Sequence, residues 1–129
     1  MPVLLDTSVA IALLDRVPEV IARRRDENEA AFLSVVSWVE LLPGTYSGEE
    51  LNRGGAALLE AFLEELEILP FAEQEVQAYE RIIAANGFSR RLVVDRMIAA
   101  TALANDLTLA TLNARDFRNV PGLTIEDWS

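Results

Sequence analysis

Residues 2–14 read PVLLDTSVAIALL, and this stretch decides the type of fold. The apolar run PVLL is typical of a short strand buried in a parallel sheet, and it ends at Asp6. Thr7 and Ser8 are good helix-capping residues, and VAIALLD after them predicts a short helix. A buried strand that leads directly into a helix indicates an α/β domain.

The rest of the chain continues this alternation of strands and helices. Further strands are predicted at residues 31–34, 67–70, 107–111 and 123–125. Helices are predicted over 18–29, from 35 until Pro43 and Gly44 stop the helix, from Ser47 to about Glu67, over 73–86 with Gly87 as the stop, and over 92–105. No hairpin signal, repeat or linker interrupts the pattern. We therefore expect a single domain over residues 1–129, of α/β class, with a mostly parallel sheet of four to five strands.

The composition limits both the compartment and the chemistry. No apolar run approaches the roughly 20 residues that span a bilayer, and the N-terminus lacks a signal-peptide pattern, so a cytoplasmic protein without a membrane partner is expected. The chain has no histidine, cysteine or lysine, and all 11 basic residues are arginine. This excludes catalytic triads, thiolate nucleophiles, Schiff bases and P-loops. Catalysis would have to use carboxylates, hydroxyls, arginines and bound metal.

The net charge of −10 lowers the expectation of tight, unspecific binding to nucleic acid. It does not exclude a small site, because bound metal reverses the local sign of an acidic pocket. Arg90 and Arg91 could contact a phosphate backbone, although a solvated start of a helix is the simpler interpretation.

Four carboxylates lie within or next to stretches that otherwise favour burial: Asp6, Glu40, Asp95 and Asp116. Buried carboxylates are costly unless something pairs with them. Asp6 ends the first strand, Glu40 lies in the helix after the second, Asp95 lies early in the helix before the fourth strand, and Asp116 follows that strand. Ligands of open parallel sheets bind at the carboxyl ends of the strands. All four acids are therefore expected at one edge, where they would bind divalent metal.

Each carboxylate also has an ordinary structural explanation. Asp6 could cap the first helix, and Asp95 could complement a helix N-terminus. Glu40 could be a salt-bridged acid at the edge of the core, and Asp116 could cap a turn. Four independent coincidences on one edge are a weaker explanation than one shared site.

Short polar residues near these acids are predicted to support them. Ser8 could orient a ligand or water, although helix capping is the simpler role. Thr111 and Asn113 stand at the end of the fourth strand, where they could hold a metal-bound water or form a turn. Trp38 is interpreted as a core residue rather than as a platform for base stacking.

Carboxylate oxygens suit Mg²⁺ or Mn²⁺, which keep several waters and pair with phosphates. Such a site would activate water for in-line attack on a phosphodiester and leave a 5′-phosphate and a 3′-hydroxyl. Asp6, Glu40 and Asp95 are expected to hold the first ion, and Asp116 to complete it or to hold a second one. A phospho-receiver needs a lysine, and a haloacid-dehalogenase phosphatase needs an aspartate where Ser8 stands, so both are disfavoured. The remaining alternative is a binding module, with little nuclease activity, whose acidic groove holds a basic partner.

The motifs LLDTSVAIALL (4–14), SVVSWVELLPG (34–44), DRMIAATALANDLTLATLNARDF (95–117) and GLTIEDW (122–128) together resemble the PIN-domain family, in particular its VapC-type toxins. The resemblance covers nearly the whole chain, whereas residues 45–88 are generic helix.

This resemblance implies a PIN-like three-layer α/β/α fold and a Mg²⁺- or Mn²⁺-dependent endoribonuclease, the toxin of a toxin–antitoxin pair. It implies that Asp6, Glu40, Asp95 and Asp116 are the catalytic and metal-binding acids, with Thr111 and Asn113 in support. It also implies an RNA substrate, a homodimer and a small, DNA-binding, VapB-like antitoxin as partner.

Overall fold

Strands and helices alternate along the chain in the computed structural model, which describes residues 2–27, 30–49 and 54–129. The described strands are β1 (Val3–Leu5), β2 (Ala31–Ser34), β3 (Glu67–Leu69), β4 (Thr108–Thr111) and β5 (Ile125–Asp127). The described helices are α1 (Thr7–Leu14), α2 (Pro18–Asp26), α3 (Val35–Thr45), α4 (Gly55–Glu64), α5 (Glu73–Asn86) and α6 (Val93–Ala104), with a short 3₁₀ helix at Ala114–Asp116.

The five strands form one parallel sheet in the order β3-β2-β1-β4-β5. The predicted α/β class and mostly parallel sheet are therefore confirmed. The central strand β1 pairs with β2 on one side and with β4 on the other, and Leu5 lies opposite both Leu33 and Ala110. This register places the carboxyl ends of β1, β2 and β4 next to each other.

Helices cover both faces of the sheet and give three layers. Successive side chains of a strand point to opposite faces, so Val3 and Leu5 join one core cluster and Leu4 joins the other. The first cluster packs under α1, α2 and α4 through residues such as Val9 and Leu59. The second lies under α5 and α6; its buried members include Ile82, Ile98, Leu109 and Phe117.

Several predicted boundaries were wrong. The helix predicted from Ser47 to about Glu67 is not continuous, because Gly54 adopts a left-handed conformation and α4 begins only after it, at Gly55, and ends at Glu64. Helix α3 continues through Pro43 and ends at Thr45. Proline removes the hydrogen bond to the carbonyl of Val39 and crowds that carbonyl, but Pro43 stands in the last turn of the helix, so only its end is affected. Strand β5 begins at Ile125 rather than at residue 123, because the amide of Leu123 donates to the carbonyl of Val120 in the preceding turn instead of to β4.

Contacts beyond the strand fix the position of β5. Glu126 accepts a hydrogen bond from Arg23 of α2 at 2.8 Å and one from the indole N–H of Trp128 at 2.9 Å. The guanidinium of Arg23 also lies over the Trp128 ring, 5.7 Å from its centroid.

Two predicted helices extend beyond the described residues. Residues 28 and 29 at the end of the second, and residues 50–53 in the one predicted from Ser47, lie outside the described ranges. None of the helices within residues 2–27, 30–49 and 54–129 is both long and apolar enough to cross a membrane.

Candidate metal centre

Asp6 lies at the junction of β1 and α1 and is 4% exposed. Its Oδ1 accepts a hydrogen bond from the backbone N–H of Val9 at 2.9 Å, so Asp6 itself is the N-cap of α1. The expectation that Thr7 and Ser8 provide this cap was wrong, because the helix already begins at Thr7.

Two hydroxyl groups orient the Asp6 carboxylate. Ser8 Oγ donates to Oδ1 at 2.6 Å, and the buried Thr111 Oγ1 donates to Oδ2 at 2.5 Å. Backbone amides fix both hydroxyls from the other side: Leu112 N donates to Ser8 Oγ at 3.1 Å, and Asn113 N donates to Thr111 Oγ1 at 2.9 Å. Burial raises the pKa of Asp6 above its usual value, and these hydrogen bonds oppose that rise.

The predicted supporting residues therefore act on Asp6 in different ways. Ser8 and Thr111 contact its carboxylate directly, whereas Asn113 contributes its backbone amide and is itself exposed.

Glu40 lies on the solvent side of α3, in contrast to the buried surroundings that its apolar neighbours suggested. Its Oε1 accepts a hydrogen bond from Thr7 Oγ1 at 2.5 Å, and Thr7 Oγ1 also lies 2.9 Å from the hydroxyl of the buried Ser37. Neither the Thr7 hydroxyl, which contacts Glu40, nor the Ser37 hydroxyl, which contacts Thr7, was predicted from the sequence. The spacing of Ser37 and Glu40 by three residues, one helical turn, was the available signal.

Asp95 lies in the first turn of α6 and is half-buried. Burial, followed by repulsion from Asp116, Glu40 and Asp6, raises the pKa of Asp95 from 3.8 to about 6, while Arg91 acts in the opposite direction. Asp95 is thus under the electrostatic influence of all three other predicted acids. Their placement at one edge of the sheet follows from the topology as expected.

Asp116 ends the 3₁₀ helix that follows β4 and is also half-buried. It lines a cavity of about 240 Å³ together with Asn113, Arg115 and Arg118, and Asp127 of β5 contributes a further carboxylate. Both arginines are exposed. Neither arginine was predicted from the sequence to belong to the site, although Arg115 directly precedes Asp116 and Arg118 follows it by two residues in the motif NARDFR.

The donor chemistry of this edge fits a divalent cation. The side chains that contact Asp6 and Glu40 are hydroxyls, and carboxylates and hydroxyls are oxygen ligands that a divalent cation accepts. Burial and the repulsion from the other three acids both raise the pKa of Asp95, and a bound cation would relieve that repulsion. Within the described part of the chain, no three acidic side chains converge closely enough to form a ready-made ligand set. The four described carboxylates therefore lie close enough to affect one another electrostatically, but no three of them are close enough to bind one ion as they stand.

An exposed apolar surface adjoins the acidic edge. Trp38, predicted to be a core residue, is 39% exposed, because its side of α3 faces away from both core clusters. The exposed apolar side chains of this region are Ile11 of α1, Trp38, Val39 and Leu42 of α3, Tyr46, and Leu58 of α4. A cavity of about 290 Å³ between these helices is lined by Ile11, Leu14, Leu41 and Leu58 and bordered by Glu40 and Asp15.

The chain is similar in sequence to proteins of one family. The PIN domain profile matches residues 3–123. Ribonuclease VapC1 of Rickettsia felis is 34% identical, with 97% of this chain and 95% of that protein aligned. The tRNA(fMet)-specific endonuclease VapC of Salmonella typhimurium is 31% identical, with 97% of this chain and 96% of that protein aligned.

Solved structures give the same result. DNA-bound VapBC from Salmonella typhimurium superposes with a TM-score of 0.84 at 27% identity, over 100% of this chain and 99% of that one. FitAcB from Neisseria gonorrhoeae superposes with a TM-score of 0.83 at 28% identity, over 98% of this chain and 97% of that one. Since the profile covers nearly the whole sequence and the fold agrees, the chain belongs to the PIN domain family.

Proposed function

We propose that this protein is a metal-dependent endoribonuclease, the toxin of a VapBC-type toxin–antitoxin pair, built as a single nuclease domain over residues 1–129. The observation that carries the proposal is the position of Asp6, Glu40, Asp95 and Asp116 at one edge of the parallel sheet, with both oxygens of Asp6 held by hydroxyls and the pKa of Asp95 raised by burial and by the other three acids. The relatives named ribonuclease VapC1 and tRNA(fMet)-specific endonuclease VapC support RNA as the substrate.

PIN-domain nucleases depend on a divalent metal, and Mg²⁺ or Mn²⁺ is the proposed ion because both prefer carboxylate oxygens and phosphates. Asp6, Glu40 and Asp95 would hold the first ion once it draws their side chains together, since no three of these described acids converge without it, and Asp116 would complete its ligands or hold a second ion. The bound ion would lower the pKa of an attacking water and balance the charge that develops on the phosphate.

The chain's own residues would prepare this site. Ser8 and Thr111 fix both oxygens of Asp6, so this carboxylate would not need to reorganise when a cation arrives. The acidic edge alone repels a polyanion, and Arg115 and Arg118 beside Asp116 would offset this repulsion for the flanking phosphates.

The exposed apolar surface supports protein partners. We assign it to a homodimer contact through α3 and to a VapB-like antitoxin that places apolar side chains in the cavity bordered by Glu40. A basic antitoxin side chain near Glu40 would compete with the metal. We also propose a cytoplasmic location, which a chain without cysteine fits.

The second candidate function is a binding module, with little nuclease activity, that docks a basic partner. The same cavity beside Glu40 favours it, since an apolar surface next to a carboxylate is suited to an amphipathic basic peptide.

Cleavage of RNA by the protein freed of its partner separates the two functions. Wild type, Asp6→Asn and a control variant would each be incubated with Mn²⁺ and either total RNA or initiator tRNA, and the ends of the fragments would be mapped. The control is Glu80→Gln, which removes an exposed charge from α5. We expect wild type and the control to cut and leave 5′-phosphates, and Asp6→Asn to be inactive. Equal cleavage by Asp6→Asn, or none by folded wild type, would refute the nuclease assignment.

A further inference from the structure

Thr7 connects two of the four carboxylates through its place in the chain. It directly follows Asp6, and its hydroxyl reaches across to α3, where it lies 2.5 Å from Glu40 Oε1 and 2.9 Å from Ser37 Oγ. We propose that Thr7, held by Ser37, is a positioning residue that sets the Glu40 carboxylate for metal binding. This inference rests on the proposed function, because it assigns a role toward the ion that the acidic edge would hold.

The donors and acceptors of this contact have one consistent arrangement. A carboxylate only accepts hydrogen bonds and a hydroxyl has a single proton, so Thr7 donates to Glu40 and accepts from Ser37. Ser37 is fully buried, and Thr7 is the partner of its hydroxyl. The series of hydrogen bonds from Ser37 through Thr7 to Glu40 therefore starts at a buried hydroxyl in the core and ends at an exposed carboxylate.

Glu40 needs such a contact more than the other acids do. Asp6 is short, buried and bound on both oxygens, whereas Glu40 is exposed and carries one more rotatable bond than an aspartate. A free glutamate on a helix surface samples many rotamers, and a metal would have to select one of them. The Thr7 hydroxyl restricts this freedom in advance, which is how outer-shell partners of ligands raise metal affinity.

A purely structural role explains the contact less well. The first helical turn of α1 is already capped by Asp6, and its backbone does not need the Thr7 hydroxyl. A hydrogen bond to an exposed carboxylate adds little to folding, since water competes for both groups. The adjacent residues Thr7 and Ser8 therefore contact different acids: Ser8 orients Asp6, and Thr7 orients Glu40.

The test is the affinity of the protein for Mn²⁺ alone, measured by calorimetry or electron paramagnetic resonance without RNA. Thr7→Val keeps the shape and removes the hydroxyl, and Thr7→Ser restores it. Thr45→Val is the matched control, because the Thr45 hydroxyl is bound to the Leu41 carbonyl within α3. We expect Thr7→Val to weaken Mn²⁺ binding about tenfold or more, Thr7→Ser and the control to stay within about threefold of wild type, and Ser37→Ala to fall between.

A double-mutant cycle with Glu40→Gln tests whether Thr7 acts through Glu40. If it does, Thr7→Val has no further effect on Mn²⁺ affinity once Glu40 is replaced. Unchanged affinity in folded Thr7→Val, or additive losses in the double variant, would overturn the inference while leaving the nuclease assignment intact. Wild type that binds no Mn²⁺ would instead remove the proposed function. Should Thr7→Val fail to fold, the same cycle with Ser37→Ala decides the question.

Discussion

Replacing Asp95 by asparagine should make the metal-free protein more stable at neutral pH. The pKa of Asp95 is raised from 3.8 to about 6, so the folded state binds this proton more tightly than the unfolded chain does. The cost of such a group to the fold vanishes well below the ordinary pKa of 3.8 and is nearly complete above the raised pKa of about 6. Stability attributable to Asp95 therefore falls as the pH rises, and an asparagine side chain at this position, which does not ionise, would not carry this penalty.

The size of the effect follows from the shift. A rise of roughly two pKa units corresponds to about 3 kcal/mol in the absence of solvent screening. Because Asp95 is only half-buried, we reduce this to about 1–2 kcal/mol. Roughly half of it should develop between pH 5 and pH 7.5. At about 4 °C per kcal/mol for a domain of this size, the melting temperature at pH 7.5 should rise by roughly 4–8 °C.

The assay is urea and thermal unfolding of wild type and Asp95→Asn in EDTA at pH 5 and 7.5, followed by titration with Mn²⁺. The difference between the two proteins, rather than the wild-type curve, isolates Asp95 from other shifted groups such as Glu75 and Glu126. Saturating Mn²⁺ should reverse the order, since ligand at 100 times Kd adds about 2.7 kcal/mol to the protein that binds it. An Asp95→Asn protein no more stable than wild type in EDTA at pH 7.5, or a difference independent of pH, would refute the reasoning.

Three further outcomes are expected. Thr111→Val should lower Mn²⁺ affinity at least tenfold and the free energy of unfolding by about 1–2 kcal/mol, because Asp6 loses a hydrogen-bond donor and the amide of Asn113 loses its acceptor. Calorimetry would measure the affinity and urea unfolding the stability. Unchanged values would contradict the assigned contact. The double variant Arg115→Gln, Arg118→Gln should raise KM for RNA while kcat changes little. The slope of log K against log salt concentration for single-stranded RNA should be smaller by about 1.4 than in wild type. The same slope in both proteins would exclude phosphate contacts there. Val39→Asp should shift a dimer to monomer by light scattering without unfolding it, since Val39 is 62% exposed; a dimer that persists would place the contact elsewhere.

The sequence was sufficient for the fold because its signals agree with one another. Short apolar runs such as those ending at Asp6 and Ser34 favour buried strands because of their length and the helical stretches that follow them. Parallel topology then brings the carboxyl ends of β1, β2 and β4 to one edge. The location of the four predicted acids follows from this geometry. Their assignment as metal ligands stays a prediction that the variants above test.

Side-chain directions were harder to predict than positions. Trp38 and Glu40 lie in a run of apolar residues, which predicted burial, but the run covers more of the helix surface than the core can accept. The excess of apolar residues forms a surface suited to partners. Similarly, Thr7 and Ser8 are generic capping residues in a sequence, and only the position of α3 and of the loop after β4 shows which carboxylate each one contacts.

Residues 111–116 have a fixed length for a mechanical reason. The first three residues hold Asp6 through Thr111 and through the amides of Leu112 and Asn113, and the last is Asp116 itself. An inserted or deleted residue in this segment would therefore disturb two carboxylates at once: Asp116, which lies in the segment, and Asp6, which follows the neighbouring strand β1. Past Phe117 this double constraint ends, although Val120 and Leu123 still pack in the core and Asp127 of β5 lines the cavity beside Asp116. Changes in chain length should accordingly be least tolerated between Thr111 and Asp116.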